Sequence, residues 1–399
     1  MRLFKKLLLI PALLLVFSFN TAEAQIAVKG ETVYTMAGDP ITNGVVLIKD
    51  GKIERVGSAS DVNIPSDYEV HEAKVVTPGF IDAHSVVGLA GHLNQDHDQD
   101  QLETSSAIQP ELRAIDAYNA REALVGHLRD HGITTVHTGH GPGALISGQT
   151  MIVKTAGETV EESTIVPAKM LAFTLGNNMS REISKPGTRS KGIAMLRQEF
   201  IKAQSYLEKR NGDEEYSMDL GMEALADLLE GKLTALVTVH KANDIMTAVR
   251  LQEEFGFPMV LDGAAEAYLI VDELKKAGHP VIIHPTMIRT YGDSKNASFE
   301  TAGKLYEAGI PIAFQSGYEG YVPKTRVISY EAGVAAANGL GMENALKVLT
   351  IDAAELLGID NRVGSLEAGK DADVAMFDGD PLEYITNVTG VIINGEKVK

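Results

Sequence analysis

A chain of 399 residues with 44% hydrophobic and 23% charged residues can bury a barrel-sized core and a smaller unit beside it. Its formal net charge of -18 argues against nucleic acid or an anionic membrane surface as a partner. With no cysteine, neither a disulfide nor a lipid-modified cysteine is available.

The first residues predict a leader. Arg2, Lys5 and Lys6 precede an apolar run from Leu7 to Phe19, and Thr21-Ala22-Glu23-Ala24 supplies small residues where a signal peptidase reads. The expectation is a signal peptide over 1–24, cleaved after Ala24, and a mature protein exported to a bacterial periplasm. The run is short for a membrane span and no second one follows.

From Ile26 to Thr77 the pattern is short and alternating. Val45-Val46-Leu47-Ile48 and Lys52-Ile53-Glu54-Arg55-Val56 flank Asp50-Gly51, a strong hairpin signal. The far end, Ala372 to Phe377 and Gly390 to Val398, looks alike. A composite β-sandwich domain from both termini is expected, over 25–77 plus 363–399.

The centre, 78–362, alternates strand and helix. A strand at Phe80 to His84 leads through a polar loop to a helical pattern from Pro110 to Arg129 and a strand at Ile133–Val136. Met151–Val153 and Met170–Phe173 read as strands, Arg189–Lys209 and Glu214–Glu230 as helices. Strands at Ala235–Val239, Pro258–Leu261, Val281–Ile283 and Pro311–Phe314 alternate with helical patterns, and more helix fills Arg326 to Leu357. About eight strands with helical crossovers predict an α/β fold, a closed (β/α)8 TIM-like barrel. Met151–Val153 also fits a hairpin.

Barrel enzymes work at the C-terminal ends of their strands. Four of the 11 histidines fall there: His84, His137, His240 and His284. Neutral imidazole suits zinc, iron or nickel, and any one of them also suits a structural hydrogen bond. Two further stretches are candidates. Gly91 to Asp100 packs two histidines and three aspartates, a loop that suits a metal or plain solvent, and His137 to Gly143 is a glycine-rich turn that offers backbone N–H groups to an anion or has no chemical role.

Pro78-Gly79-Phe80-Ile81-Asp82-Ala83-His84 resembles the opening signature of the amidohydrolase superfamily, and Gly364 to Val374 resembles its closing signature. The flanking strands are similar to the small sandwich of imidazolonepropionase-like and dihydroorotase-like members. The resemblance implies hydrolysis of C–N bonds in a small molecule or modified peptide, with one or two divalent metals, zinc first, that activate water. It implies metal ligands at two strand-one histidines, at histidines after strands five and six, and at an aspartate after strand eight.

His84 matches the first ligand and His240 the strand-five ligand. Val86 stands at the second histidine, Asp262 at the strand-six histidine, and Phe314-Gln315-Ser316-Gly317 at the aspartate. Lys154 is a candidate bridging ligand or an ordinary ion-paired lysine. Asp262 is the candidate general base, and His284 and His137 are candidate substrate contacts. Three readings stay open: a hydrolase with at most a mononuclear metal; a catalytically inactive relative that takes a small-molecule ligand at the same mouth or serves as a subunit beside an active paralogue; and a metal-free enzyme of unrelated mechanism. A homo-oligomer or a hetero-oligomer with a paralogue is the partner expectation.

Overall fold

The computed structural model describes residues 25–93, 95–176, 183, 186–212, 216–284, 290, 292–318 and 328–399, with the side chain of Asp96 left out. The expected leader lies outside the described residues.

The N-terminal strands are β1 (Ile26–Val33), β2 (Ile41–Lys49), β3 (Lys52–Ser58) and β4 (Glu69–Pro78). The barrel strands follow as β5 (Phe80–Ser85), β6 (Ile133–Gly139), β7 (Ile146–Lys154), β8 (Thr164–Val166), β9 (Met170–Thr174), β10 (Thr234–Val239), β11 (Met259–Gly263), β12 (Val281–Ile283) and β13 (Ile312–Phe314). The last three strands are β14 (Val374–Phe377), β15 (Val388–Ile393) and β16 (Glu396–Lys397). The helices are α1 (Ala123–Asp130), α2 (Val160–Ser163), α3 (Arg189–Asn211), α4 (Leu220–Leu229), α5 (Ala242–Phe255), α6 (Val271–Ala277), α7 (Thr301–Glu307), α8 (Ile328–Ala335), α9 (Met342–Val348) and α10 (Ile351–Leu357).

Strands from both ends of the chain join in one seven-stranded sheet, ordered β16-β15-β14-β4-β1-β2-β3. Asp50, Gly51 and Asn394 adopt the positive φ that tight hairpins demand. The sheet curls until its ends meet: Lys52 bridges Asp371, and Gly51 packs against Gly395. Its inner face is an apolar layer that includes Ile26, Val46, Ile48, Val374 and Ile392. The expected sandwich is thus one continuous sheet folded over, because β14 pairs antiparallel with β4 along Val75–Pro78.

The second sheet is the barrel. Its order is β5-β6-β7-β9-β10-β11-β12-β13, with β8 paired to β7, and a parallel bridge from Ser85 to Gly317 brings its ends together. The eight barrel strands bear out the expected class. One of them departs from it: β7 is antiparallel to both β6 and β9. It is the return arm of a hairpin turned by His140 to Leu145, so no crossover helix separates β6 from β7.

That reversal also explains the segment before α1. Helix was expected from Pro110, yet it begins at Ala123. Residues 107–113 instead run beside β7, with Gln109 N–H donating to Ile146 O, Ile146 N–H to Ala107 O and Gln149 N–H to Leu112 O. Tertiary backbone pairing overrides a helical side-chain pattern here. Among the described residues no helix is long and apolar enough to cross a membrane.

Candidate active site

Parallel strand direction puts His84, His240 and His284 at the same end of the barrel. His84 sits in β5, buried at 1% exposure, with its ring 5.8 Å from that of Tyr318. The His284 ring lies 4.9 Å from the same tyrosine. Glycines make room for the imidazoles. A Cβ on Gly263 would stand 2.5 Å from His240 Cε1, and one on Gly317 would stand 2.2 Å from His284 Cε1. Both glycines have positive φ, so the backbone and the crowding ask for the same residue.

His84 Nδ1 donates to Asp262 Oδ1 at 3.0 Å. Thr238 Oγ1 donates to Asp262 Oδ2 at 2.6 Å, and Gln315 Nε2 donates to Oδ1. Burial alone would raise the Asp262 pKa, but His84, Thr238 and the charge of His284 outweigh it and hold the carboxyl below its ordinary value. The expected general base Asp262 is thus not a free carboxylate: its oxygens accept from His84, Thr238 and Gln315, a contact that holds the His84 ring. Nε2 of His84 is buried and has no hydrogen-bond partner among the described residues. A histidine whose Nδ1–H is fixed by a carboxylate keeps its lone pair on Nε2.

A second buried pair lies beside the first. Ser316 Oγ donates to Asp82 Oδ2, and the backbone N–H groups of Ser316 and His84 donate to Oδ1 at 3.1 and 3.3 Å. Complete burial pushes the Asp82 carboxyl up to about 7, although those three hydrogen bonds and His84 pull it down. Nothing local in the sequence pairs Ser316 with Asp82, which lies 234 residues away.

The other expected site residues divide. His240 has Nδ1 buried without a partner among the described residues, and burial lowers its pKa against Asp262 and Asp293. His137, the other expected substrate contact, has both ring nitrogens engaged within the protein. Its Nδ1 donates to Ala83 O at 2.7 Å and its Nε2 accepts from Thr150 Oγ1 at 2.6 Å, so both ring nitrogens serve the barrel wall. Burial drives its pKa down to about 3. Lys154 is not at the mouth at all. The reversal of β7 carries it to the opposite end, where it pairs with Asp373 and, at 3.2 Å, with Asp371.

In the two loops several of the candidate groups are engaged within the protein. Asp98 accepts from Gln95 N–H and Gln99 Nε2 and fills the space beside Gly91, while His92 pairs with Glu122. In the turn after His137, Gly141 N–H donates to Gln101 O and Gly143 N–H to Thr174 Oγ1, so those two N–H groups are not turned to an anion.

A family model for the amidohydrolase family matches residues 75–398. The chain belongs to that family. A solved structure of an amidohydrolase from Thermotoga maritima MSB8 is 30% identical, with a TM-score of 0.88 over 94% of this chain and 99% of that one. The amidohydrolase tasK of Hapsidospora irregularis is 25% identical over 85% of this chain, and the alignment spans only 38% of that longer relative. An imidazolonepropionase of Fusobacterium nucleatum is 23% identical over 89% of this chain and 91% of its own length.

Members of the superfamily commonly use divalent metals at this mouth. A catalytic zinc is usually held by three protein ligands. Among the described residues His84 Nε2 and His240 Nδ1 are buried without a partner, and His284 brings a third buried imidazole to the same end. Asp262 is spent on His84, Val86 is a buried hydrocarbon, and Gly317 carries no side chain. Among the described residues no group of three or more His, Cys, Asp or Glu is placed to hold a metal ion. Among the described residues the donor set falls short of the one that the family implies.

Proposed function

We propose that the chain is an exported hydrolase of carbon–nitrogen bonds in a small molecule, with the His84–Asp262 pair as its proton-transfer centre. The observation that carries the reading is the buried, unpartnered Nε2 of His84 on an imidazole oriented by a carboxylate that is itself held at both oxygens. Export rests on the sequence of residues 1–24.

Nε2 accepts a proton from water as the water oxygen bonds to the carbonyl carbon, and Asp262 stabilises the imidazolium that results. The proton then passes from Nε2 to the leaving nitrogen as the C–N bond breaks, giving an acid and an amine. General base catalysis of this kind contributes roughly 10²–10⁴-fold.

The test is hydrolysis of a panel of N-acyl amino acids, dipeptides and cyclic amides by mature protein after exhaustive chelation. Turnover that survives chelation and falls at least about 100-fold in His84→Gln is the expected result. Turnover that is lost on chelation and restored by zinc would overturn the metal-free centre. The second reading, a ligand-binding relative without hydrolysis, is favoured by the His284 ring, which fills the space beside Gly317 where the superfamily's carboxylate would stand. No turnover by any panel member, with intact folding, would decide for it.

A further inference from the structure

Beside the mouth, a cleft of about 610 Å³ lies between α3 and α5. It starts at Thr174, Leu175 and Gly176, directly after β9, and follows the first turns of both helices outward. Leu145, Leu175 and Ile193 are among its apolar lining side chains. Its charged lining side chains are Arg189, Arg197, Arg250 and Asp244, and Asp293 and Glu254 stand against the first two arginines.

The three arginines are not equivalent. Arg189 is neutralised at the inner end, its Nε donating to both oxygens of Asp244 at 2.8 and 3.0 Å. Arg197 is paired with Glu254 by the same two-oxygen contact. Arg250 is turned to Thr247, whose Oγ1 accepts from Nη2 at 2.7 Å, and makes no ion pair among the described residues. Asp244 and Arg250 are six residues apart on one helix, about 9 Å along its axis. The cleft therefore runs from a neutralised end at Asp244 to a guanidinium that has no ion pair among the described residues farther out.

We infer that this cleft binds an anionic small molecule with an apolar body, its carboxylate on Arg250 and its apolar part on Leu145, Leu175 and Ile193. A guanidinium matches a carboxylate with two parallel hydrogen bonds, and an acidic protein surface elsewhere repels the same ligand. Acylated amino acids have this chemistry. Identifying the ligand as the substrate rests on the hydrolytic reading of the mouth; the binding itself does not.

Calorimetry on the whole mature protein tests it, with N-acetyl-L-leucine and N-acetyl-L-phenylalanine as probes and their neutral amides as controls. The acids are expected to bind with Kd near or below about 1 mM and the amides at least about tenfold more weakly. Arg250→Gln should cost the acids about tenfold and leave the amides unchanged, and Arg250→Lys should recover part of the loss. His84→Gln should abolish hydrolysis and leave binding intact. The inference is overturned if neither acid binds up to about 10 mM, if amides bind as well as acids, or if Arg250→Gln leaves acid binding unchanged. Acid binding without turnover would sink the hydrolytic reading alone, and turnover of neutral amides without acid binding would sink the cleft alone.

Discussion

The two ends of the barrel treat buried polar groups in opposite ways. At the end that faces the curled sheet, Lys154 at 2% exposure meets Asp373 and Asp371, and Asp371 also receives Lys52 at 2.6 Å and Arg362 at 2.8 Å. Asn394 N–H donates to the remaining oxygen of Asp373. At the mouth, by contrast, His84 Nε2, His240 Nδ1 and Gln315 Oε1 are buried without partners among the described residues. A buried polar atom left unpaired costs about 1–3 kcal/mol, so its survival in one place points to a ligand, water or reaction that satisfies it. One end joins the two units of the fold, and the other keeps hydrogen-bonding capacity in reserve.

The largest expected effect breaks the paired end. Lys154→Met leaves two carboxylates facing each other out of water, and should destabilise the protein by about 3–5 kcal/mol. Urea unfolding checks it, and a loss under about 1 kcal/mol would show that solvent or the neighbouring cations compensate. Chemistry at the mouth should be untouched in whatever fraction remains folded.

Next comes the mouth itself. His84→Gln should lower turnover by about 10²–10⁴-fold with a stability change near 1 kcal/mol, which separates a reactive group from a structural one. Equal losses in both would place His84 in the same structural role as His137.

The pH dependence of stability sharpens the contrast further. Asp82 holds its proton up to about 7 when folded and releases it near 3.8 when unfolded, so between those values the folded state binds more protons and stability falls as pH rises. His137, lowered to about 3, and His140, lowered to about 4 by burial against the pull of Asp100 and the Gln101 backbone, act in reverse. They stay neutral in the fold and take protons only when unfolded, so stability falls as pH drops below 6.5. Between about pH 4 and 6.5 the two histidines outweigh the one carboxyl, so Asp82→Asn, a mimic of the protonated carboxyl, should steepen the rise of stability with pH by the part that Asp82 offsets, worth a few kcal/mol by about pH 7. Unfolding midpoints that change in parallel for both proteins across that range would refute the raised Asp82 pKa.

The smallest effect is a packing test. Gly317→Ala forces a Cβ against His284 at a φ of 97°, and should cost about 1–3 kcal/mol. Thermal melts check it. A neutral result would mean that His284 turns aside readily, and the space beside Gly317 would then be open to a larger side chain.

Much of the scaffold was legible in the chain. The hairpin at Asp50-Gly51, the strand pattern at both ends and the strand–helix alternation after Ala235 are local signals, and each formed where local physics put it. The segment from Pro110 and the direction of β7 were not legible. Apolar periodicity says that a strand is buried, and nothing in it says which way the strand runs. Lys154 was misplaced for that reason, and Asp82–Ser316 was missed because each residue looks ordinary until the barrel closes.

The sequence by itself determined the family, the barrel and the identity of the residues missing from the usual ligand set, because Val86 and Gly317 are side-chain facts that need no fold to read. Only the tertiary structure decided what the remaining residues do. His84, Asp262, Thr238 and Gln315 come from four different strands or strand ends, and hydrogen bonds between them exist only when the sheet has curled into a ring. Chain order fixed the chemistry that is available, and closure of the ring fixed which groups are satisfied and which are left to act.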